Sequence, residues 1–276
     1  MLMLPGCVEG FDSANGSDKA YYRLYDYHID RPRVLGMTYW PLLFSGGDIV
    51  TFEALAAAPD QLIDAEVEWW SCGIDQTVPF TYYSASCLNS SAAVFLGSGK
   101  TLEVEMPAYD TSSCESTGCY GFFPMIAVLG SDVPEPDEGY GITWLAPDYL
   151  NQSPPVYFDL HFASLTFKVG EGETTTTTAR PGDRIRLEAE LETYDVDFLF
   201  SWYASAGTFE RLGLTRASSA ALFSPPRRNV IGSENVLLIP EDQPAGPLMV
   251  YLVIDTVSYY YPGLQRFAVG RIEVSP

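Results

Sequence analysis

Apolar and polar residues alternate with a period of two along much of the chain. In Ile49-Val50-Thr51-Phe52-Glu53-Ala54-Leu55 the apolar residues recur mostly at every second place, and Leu102, Val104 and Met106 alternate with Glu103 and Glu105. That period marks half-buried strands, because successive side chains of an extended backbone point to opposite faces. In Glu66 to Cys72 it puts Val67, Trp69 and Ser71 on one face and Glu68, Trp70 and Cys72 on the other. One tryptophan is expected in a core, and the other on an outer face beneath a loop or against a partner. Further strands are predicted at Arg33 to Tyr39, Phe123 to Leu129, Val156 to Phe162, Arg184 to Leu191, Phe198 to Ala204, Val236 to Ile239, Leu248 to Val257 and Gln265 to Val274. Helical patterns are scarce. The best, Thr51 to Leu62, starts with strand alternation and contains Pro59, so it reads as strand followed by loop.

The pattern is written twice. Val67-Glu68-Trp69-Trp70-Ser71 returns as Phe200-Ser201-Trp202-Tyr203-Ala204, and Gly47-Asp48-Ile49-Val50-Thr51-Phe52-Glu53-Ala54 as Gly182-Asp183-Arg184-Ile185-Arg186-Leu187-Glu188-Ala189. Phe123 to Leu129 is likewise echoed by Pro247 to Val253. For a chain of 276 residues this favours two ordinary domains over one large one. The boundary is expected at Tyr149 to Pro155, where two prolines after polar residues stiffen a linker and cannot sit inside a sheet. The division is therefore a tether over 1–30, a first domain over 31–150 and a second over 151–276. Four crowded tyrosines at the end of the tether, Tyr21, Tyr22, Tyr25 and Tyr27, are expected to dock on the first domain, with a partner surface as the alternative. Thr174 to Thr178, bracketed by glycines and Pro181, is expected as a hairpin arm or an exposed sheet edge.

Composition narrows the function classes. A hydrophobic fraction of 47% excludes a disordered chain. The net charge of −21 repels phosphate backbones, so neither nucleic acid nor a basic-patch contact with anionic membrane is expected. The five cysteines are Cys7, Cys72, Cys87, Cys114 and Cys119. No Cys-x2-Cys pair supports a zinc site, and Cys72 with Cys87 and Cys114 with Cys119 are the disulfides proximity favours among three pairings. They imply an oxidising compartment. Leu4-Pro5-Gly6-Cys7 reads as a bacterial lipobox, in which the cysteine after the cleavage point carries a lipid; a fortuitous leader with a free thiol is the alternative.

Catalytic motifs fail on context. Gly97-Ser98-Gly99-Lys100-Thr101 mimics the end of a phosphate-binding loop, but Val94 stands where the motif needs glycine, and a strand follows where it needs a helix. A hairpin turn fits better. His28 and His161 have no nucleophile motif beside them, and no pair of acids stands out for glycoside hydrolysis. Asp132, Glu135, Asp137 and Glu138 form a loop that could hold calcium, although Pro134 and Pro136 restrict its convergence and a solvated loop is the expectation. No other cofactor is indicated. Asn15, Asn89 and Asn151 head glycosylation sequons that carry little meaning in a bacterial lipoprotein.

Several of these stretches, in this order, resemble a group of predicted lipoproteins from myxobacteria and related bacteria: Leu4 to Cys7, Arg33 to Met37, Gly47 to Ala54, Trp69 to Cys72, Leu96 to Gly99, Pro181 to Asp183 and Trp202 to Ala204. The resemblance covers most of the chain, and its motifs are structural. It implies an all-β chain of two tandem immunoglobulin-like β-sandwiches, exported and held at the outer membrane by a lipid on Cys7. The expected function is a non-enzymatic cell-surface module, structural or adhesive, whose partners are other envelope or surface proteins or further copies of itself. The alternative is a carbohydrate-binding module using Trp70, Tyr259, Tyr260 and Tyr261, since exposed rings stack on sugars.

Overall fold

The turn that opens the second strand explains why the sequence repeats where it does. Gly47 and Gly182 hold φ angles of 89° and 84°, a left-handed conformation that costs glycine least. In each copy the turn is pinned by the same two backbone bonds. Gly47 N–H donates to Met106 O and Met106 N–H to Asp48 O, just as Gly182 N–H donates to Ile239 O and Ile239 N–H to Asp183 O. The Gly-Asp pair thus starts one strand and closes another against it.

A computed structural model of the chain describes residues 27–41, 44, 46–59, 62, 67–71, 93–107, 125–129, 141–143, 164–171, 174–194, 197–211, 214–218, 228–256 and 265–276. All regular structure among them is strand. The first half contains β1 (Arg33–Trp40), β2 (Ile49–Ala57), β3 (Val67–Ser71), β4 (Val94–Ser98), β5 (Thr101–Glu105), β6 (Met125–Leu129) and β7 (Gly141–Thr143). They pair antiparallel into a three-stranded sheet, β1-β2-β5, and a four-stranded one, β4-β3-β6-β7.

The second half contains β8 (Ser164–Val169), β9 (Thr176–Ala179), β10 (Arg184–Tyr194), β11 (Asp197–Ala204), β12 (Thr208–Phe209), β13 (Leu214–Ser218), β14 (Arg228–Leu238), β15 (Gly246–Thr256) and β16 (Gln265–Val274). Its sheets run β12-β14-β10-β8 and β13-β11-β15-β16-β9. With β9 and β12 set aside, the strand order of the first half returns strand for strand. The chain is two tandem immunoglobulin-like β-sandwiches, as the doubled pattern predicts.

Each sandwich closes on its tryptophan. Trp69 and Trp202 are fully buried. Trp69 packs 6.0 Å from Phe52 and Trp202 5.9 Å from Phe167, centroid to centroid. An indole that loses ~200 Å² of exposure gains on the order of 5 kcal/mol before entropy is counted. Each buried N–H finds an acceptor: Trp69 Nε1 donates to Gly99 O at 2.8 Å and Trp202 Nε1 to Ser233 Oγ at 3.2 Å.

Three expectations are corrected. The Gly97 to Thr101 turn is no hairpin, because β4 pairs with β3 and β5 with β2, so the chain arches from one sheet to the other. The arch places Leu96, Leu102 and Val104 against the core and presents the Gly99 carbonyl to Trp69. Secondly, Tyr27 docks on the second sandwich, with its ring 5.9 Å from that of Tyr203, while Tyr21, Tyr22 and Tyr25 lie outside the described residues. Thirdly, the strand expected at Val236 to Ile239 starts eight positions earlier, at Arg228. Its inward row includes the buried polar residues Ser233 and Asn235, which interrupt the apolar signal yet serve as hydrogen-bond acceptors. Of the two settings expected for the threonine run, the structure has the exposed edge: β9 lies outermost in its sheet, parallel to β16.

Candidate interaction surfaces

Alternation along β15 sends Leu248, Val250, Leu252 and Ile254 into the second core and turns Met249, Tyr251 and Val253 outward. Two of this outward set are nevertheless buried: Tyr251 is 0% and Val253 3% exposed. What covers them is the outer face of β1 and β2. Leu35, Leu55 and Ala57, with Ile29 from the preceding segment, form one apolar cluster with Tyr251 and Val253, and Tyr203, Met249, Phe267 and Val269 pack against its margin. The first sandwich therefore lies with its three-stranded sheet on the five-stranded sheet of the second.

Polar contacts set the register of this junction. A β-bulge between Val34 and Gly36 turns Leu35 toward the second sandwich. Next to it the Met37 backbone N–H donates to Gln265 Oε1 at 2.7 Å. The segment before β1 straps the junction: Ile29 N–H donates to Ala204 O at 2.9 Å and Ala204 N–H to Tyr27 O at 3.0 Å, a parallel bridge at the end of β11. The Arg33 guanidinium, itself buried, stands 5.9 Å over the Tyr203 ring. Burial lowers the pKa of Arg266, and the nearby Glu53 carboxylate of the first sandwich opposes that shift. Glu53 also pairs with Lys100 at 3.3 Å.

A second surface lies on the first sandwich. Trp70 turns away from the core on β3, half-buried, and its indole N–H donates to Glu68 Oε2 at 3.3 Å. Phe95 sits directly opposite in register on the edge strand β4, edge-on to Trp70 with centroids 5.2 Å apart. Phe95 is 51% and its neighbour Val94 53% exposed. Large apolar side chains on an open strand edge are the kind of feature proteins elsewhere cover or use.

The outer face of the second sandwich's other sheet is charged instead. Glu188 and Glu234 stand directly opposite each other, and Arg186 bridges them at 2.7 Å and 3.0 Å. Arg184 pairs with Glu210 nearby. Elsewhere on the second sandwich an open cavity of about 610 Å³ lies between β8, β16 and the residue before β9, lined by Leu165, Phe167, Thr175, Arg266 and Phe267 among others.

Of the residues singled out from sequence, Trp70 faces outward, as alternation predicts, and it pairs in register with Phe95 on β4. Cys7, Cys72, Cys87, Cys114, Cys119, Tyr259, Tyr260, Tyr261 and the loop acids Asp132, Glu135, Asp137 and Glu138 lie outside the described residues, as does His161. Among the described residues no group of three His, Cys, Asp or Glu side chains converges as a metal site, and no helix is long and apolar enough to cross a membrane. Sequence reasoning missed the interdomain surface. Its signal was available in Leu248 to Val253, where the apolar run is unbroken and both faces of the strand are therefore expected to be buried.

No protein-family model and no curated protein matches the chain. Among solved structures it is similar to Escherichia coli alpha-2-macroglobulin activated by porcine elastase, at 12% identity and a TM-score of 0.26, covering 88% of this chain and 22% of that one. It is also similar to red sea bream transglutaminase, at 12% identity and a TM-score of 0.29, covering 96% of this chain and 34% of that one. The chain thus spans about a fifth to a third of these structures, and likeness at this level carries nothing about activity.

Proposed function

We propose that the protein is a non-enzymatic surface lipoprotein of a Gram-negative bacterium, whose two sandwiches act together as a structural or adhesive protein-interaction module, a subunit of an envelope assembly or filament. The observation that carries the reading is the apolar junction. Tyr251, Val253, Leu35 and Leu55 exclude water between the domains, so the pair holds a fixed mutual orientation, as a spacer or adhesive element requires. Such a pair presents the Trp70–Phe95 surface at a defined distance and angle from whatever holds the chain. In this reading a lipid on Cys7 tethers the chain to the outer membrane, Cys72–Cys87 and Cys114–Cys119 are its disulfides, and its partners are other envelope proteins.

Mass spectrometry of the native protein together with chemical crosslinking of intact envelopes tests it. The expected results are a diacylglyceryl-modified Cys7 and a crosslinked species heavier than the monomer. An unmodified Cys7 in a strictly monomeric protein would overturn it. A carbohydrate-binding reading draws on the half-exposed Phe95 ring beside Trp70, with Tyr259, Tyr260 and Tyr261 as further rings. A glycan array run with and without calcium separates the two: only a sugar-binding module gives a signal.

A further inference from the structure

Two strand edges of the second sandwich flank its open cavity. On β16 the ladder with β9 covers Arg271 to Val274 only, and Arg271 N–H, which donates to Thr175 O, shows which way that edge points. β16 keeps one register with β15 from Gln265 to Val274, so the N–H and C=O groups of Val269 and Phe267, two and four residues before Arg271, point the same way. On β8, Gly170 N–H turns to Arg186 O and Val169 N–H to Thr174 O, so the backbone groups of Phe167 and Leu165 point away from β10, to the cavity side. Among the described residues no strand pairs with either edge here. The edges meet at Gly270, where a Cβ would lie 2.6 Å from Val169 Cγ2 and 2.8 Å from Phe167 Cε1, and the cavity of about 610 Å³ opens beyond that contact, toward Leu165 and Arg266. We propose that this slot takes an extended apolar segment of a different protein, which adds as a strand to β16 at Phe267 and Val269 and sends alternate side chains into the cavity. The proposal rests on the interaction reading above and names the surface and the class of partner.

The chemistry of the slot selects that occupant. Donors and acceptors that recur at every second residue match another extended backbone, which is how a peptide joins an open sheet edge. β9 already uses the same edge of β16 one step further along, so an added strand continues a ladder the fold has begun. Leu165, Phe167 and Ala268 give the cavity an apolar lining, which takes the added strand's inward side chains. Phe267 and Val269 also border the junction cluster, so the occupied slot is continuous with an interface the molecule already has. A second copy of this chain is the wrong occupant: each of its described strands is held in a sheet and cannot enter singly, and two chains of charge −21 repel each other.

Site-specific photocrosslinking in native cells tests the assignment, with benzoylphenylalanine substituted in the full chain at Thr175, exposed at the slot, and for comparison at Phe95. The expected result is an adduct at position 175 to an apolar segment of a different protein. Val269→Pro removes an edge donor at a position where the N–H faces no strand of the sheet, and should lower the yield at least tenfold. Val269→Ala keeps that N–H and should leave the yield unchanged. Because Val269→Pro could disturb folding, Ala268→Trp, which fills the cavity, serves as the second blocking variant and should have the same effect as the proline with unchanged circular dichroism. A synthetic peptide of the crosslinked sequence, added to the purified chain, should slow hydrogen exchange of the Phe267 and Val269 amides at least tenfold. An adduct at 95 with none at 175 would remove this slot and leave the interaction reading standing. Absence of adducts at both positions would remove both. An adduct at 175 only within the same chain or to a second copy would also overturn the assignment, as would yields that neither blocking variant changes, or a peptide that leaves those two amides exchanging as before.

Discussion

Gly36→Ala probes the junction between the sandwiches with a single methyl group. A Cβ at that position would lie 2.7 Å from Gln265 Oε1 and 3.0 Å from Val253 Cγ1, both across the junction. Gln265 cannot swing away freely, because its Oε1 accepts the Met37 backbone N–H. Losing that bond costs ~0.5–1.5 kcal/mol. Crowding the well-packed Val253 adds ~1–3 kcal/mol, so the whole substitution should cost roughly 1.5–4.5 kcal/mol. Gln265→Ala removes the same acceptor without adding bulk and should cost ~1–3 kcal/mol. In the double variant the hydrogen bond can be lost only once, and the closest clash is gone. Gly36→Ala should therefore cost less in the Gln265→Ala background than in the wild type, by ~0.5–1.5 kcal/mol. Urea unfolding of the four proteins, compared by midpoint at constant slope, measures the coupling. Costs that add within ~0.3–0.5 kcal/mol would refute the reasoning, since groups that do not touch behave independently.

Other positions separate the remaining effects. Gly47 and Gly207 both hold positive φ, 89° and 92°, but a Cβ on Gly47 meets open space whereas one on Gly207 would lie 2.6 Å from Leu238 O. Gly47→Ala should then cost only the ~1–2 kcal/mol of left-handed strain, and Gly207→Ala distinctly more, read as the drop in melting temperature of each variant. Burial pushes the Tyr39 hydroxyl well above the ordinary tyrosine value. A raised folded-state pKa leaves stability intact below the unfolded value and lowers it as pH rises beyond, so the first sandwich should lose stability above about pH 10. Tyr39→Phe should flatten that alkaline loss in a pH series of thermal melts. Arg186→Ala leaves Glu188 and Glu234 opposed without their bridge, and at this solvent-exposed site should cost only ~0.5–1 kcal/mol, most of it removed at about 1 M salt.

The two-sandwich fold was legible because its signals are local. Period-two alternation at Val67 to Ser71 is reproduced residue by residue in the burial of β3, and the repeated tryptophan marks both cores. The turn glycines Gly47 and Gly182 were visible as a motif for the same reason. What escaped depends on partners distant in sequence. Gly97 to Thr101 has hairpin chemistry, and only pairing with β2 and β3 decides that it is an arch. Ser233 and Asn235 break the apolar pattern before Val236, and only the fold brings them their donors, Trp202 and the Arg211 amide. Tyr27 joins the second sandwich because the Tyr203 ring and the Ala204 backbone receive it, and nothing near Tyr27 in sequence announces them. The outward setting of Trp70 followed from alternation alone, but its pairing with Phe95 required the register of β4.

Packing of the first sandwich on the outer face of the second is the central claim, and oxidative footprinting of the intact chain tests it most directly. Tyr251 is sealed by the junction, Trp202 by its own core, and Phe95 is open to solvent. Tyr251 is predicted to be oxidised as slowly as Trp202 and far more slowly than Phe95, allowing for intrinsic ring reactivity. Oxidation of Tyr251 at the rate of an exposed tyrosine, with Trp202 still protected, would contradict it by showing two folded sandwiches that stand apart.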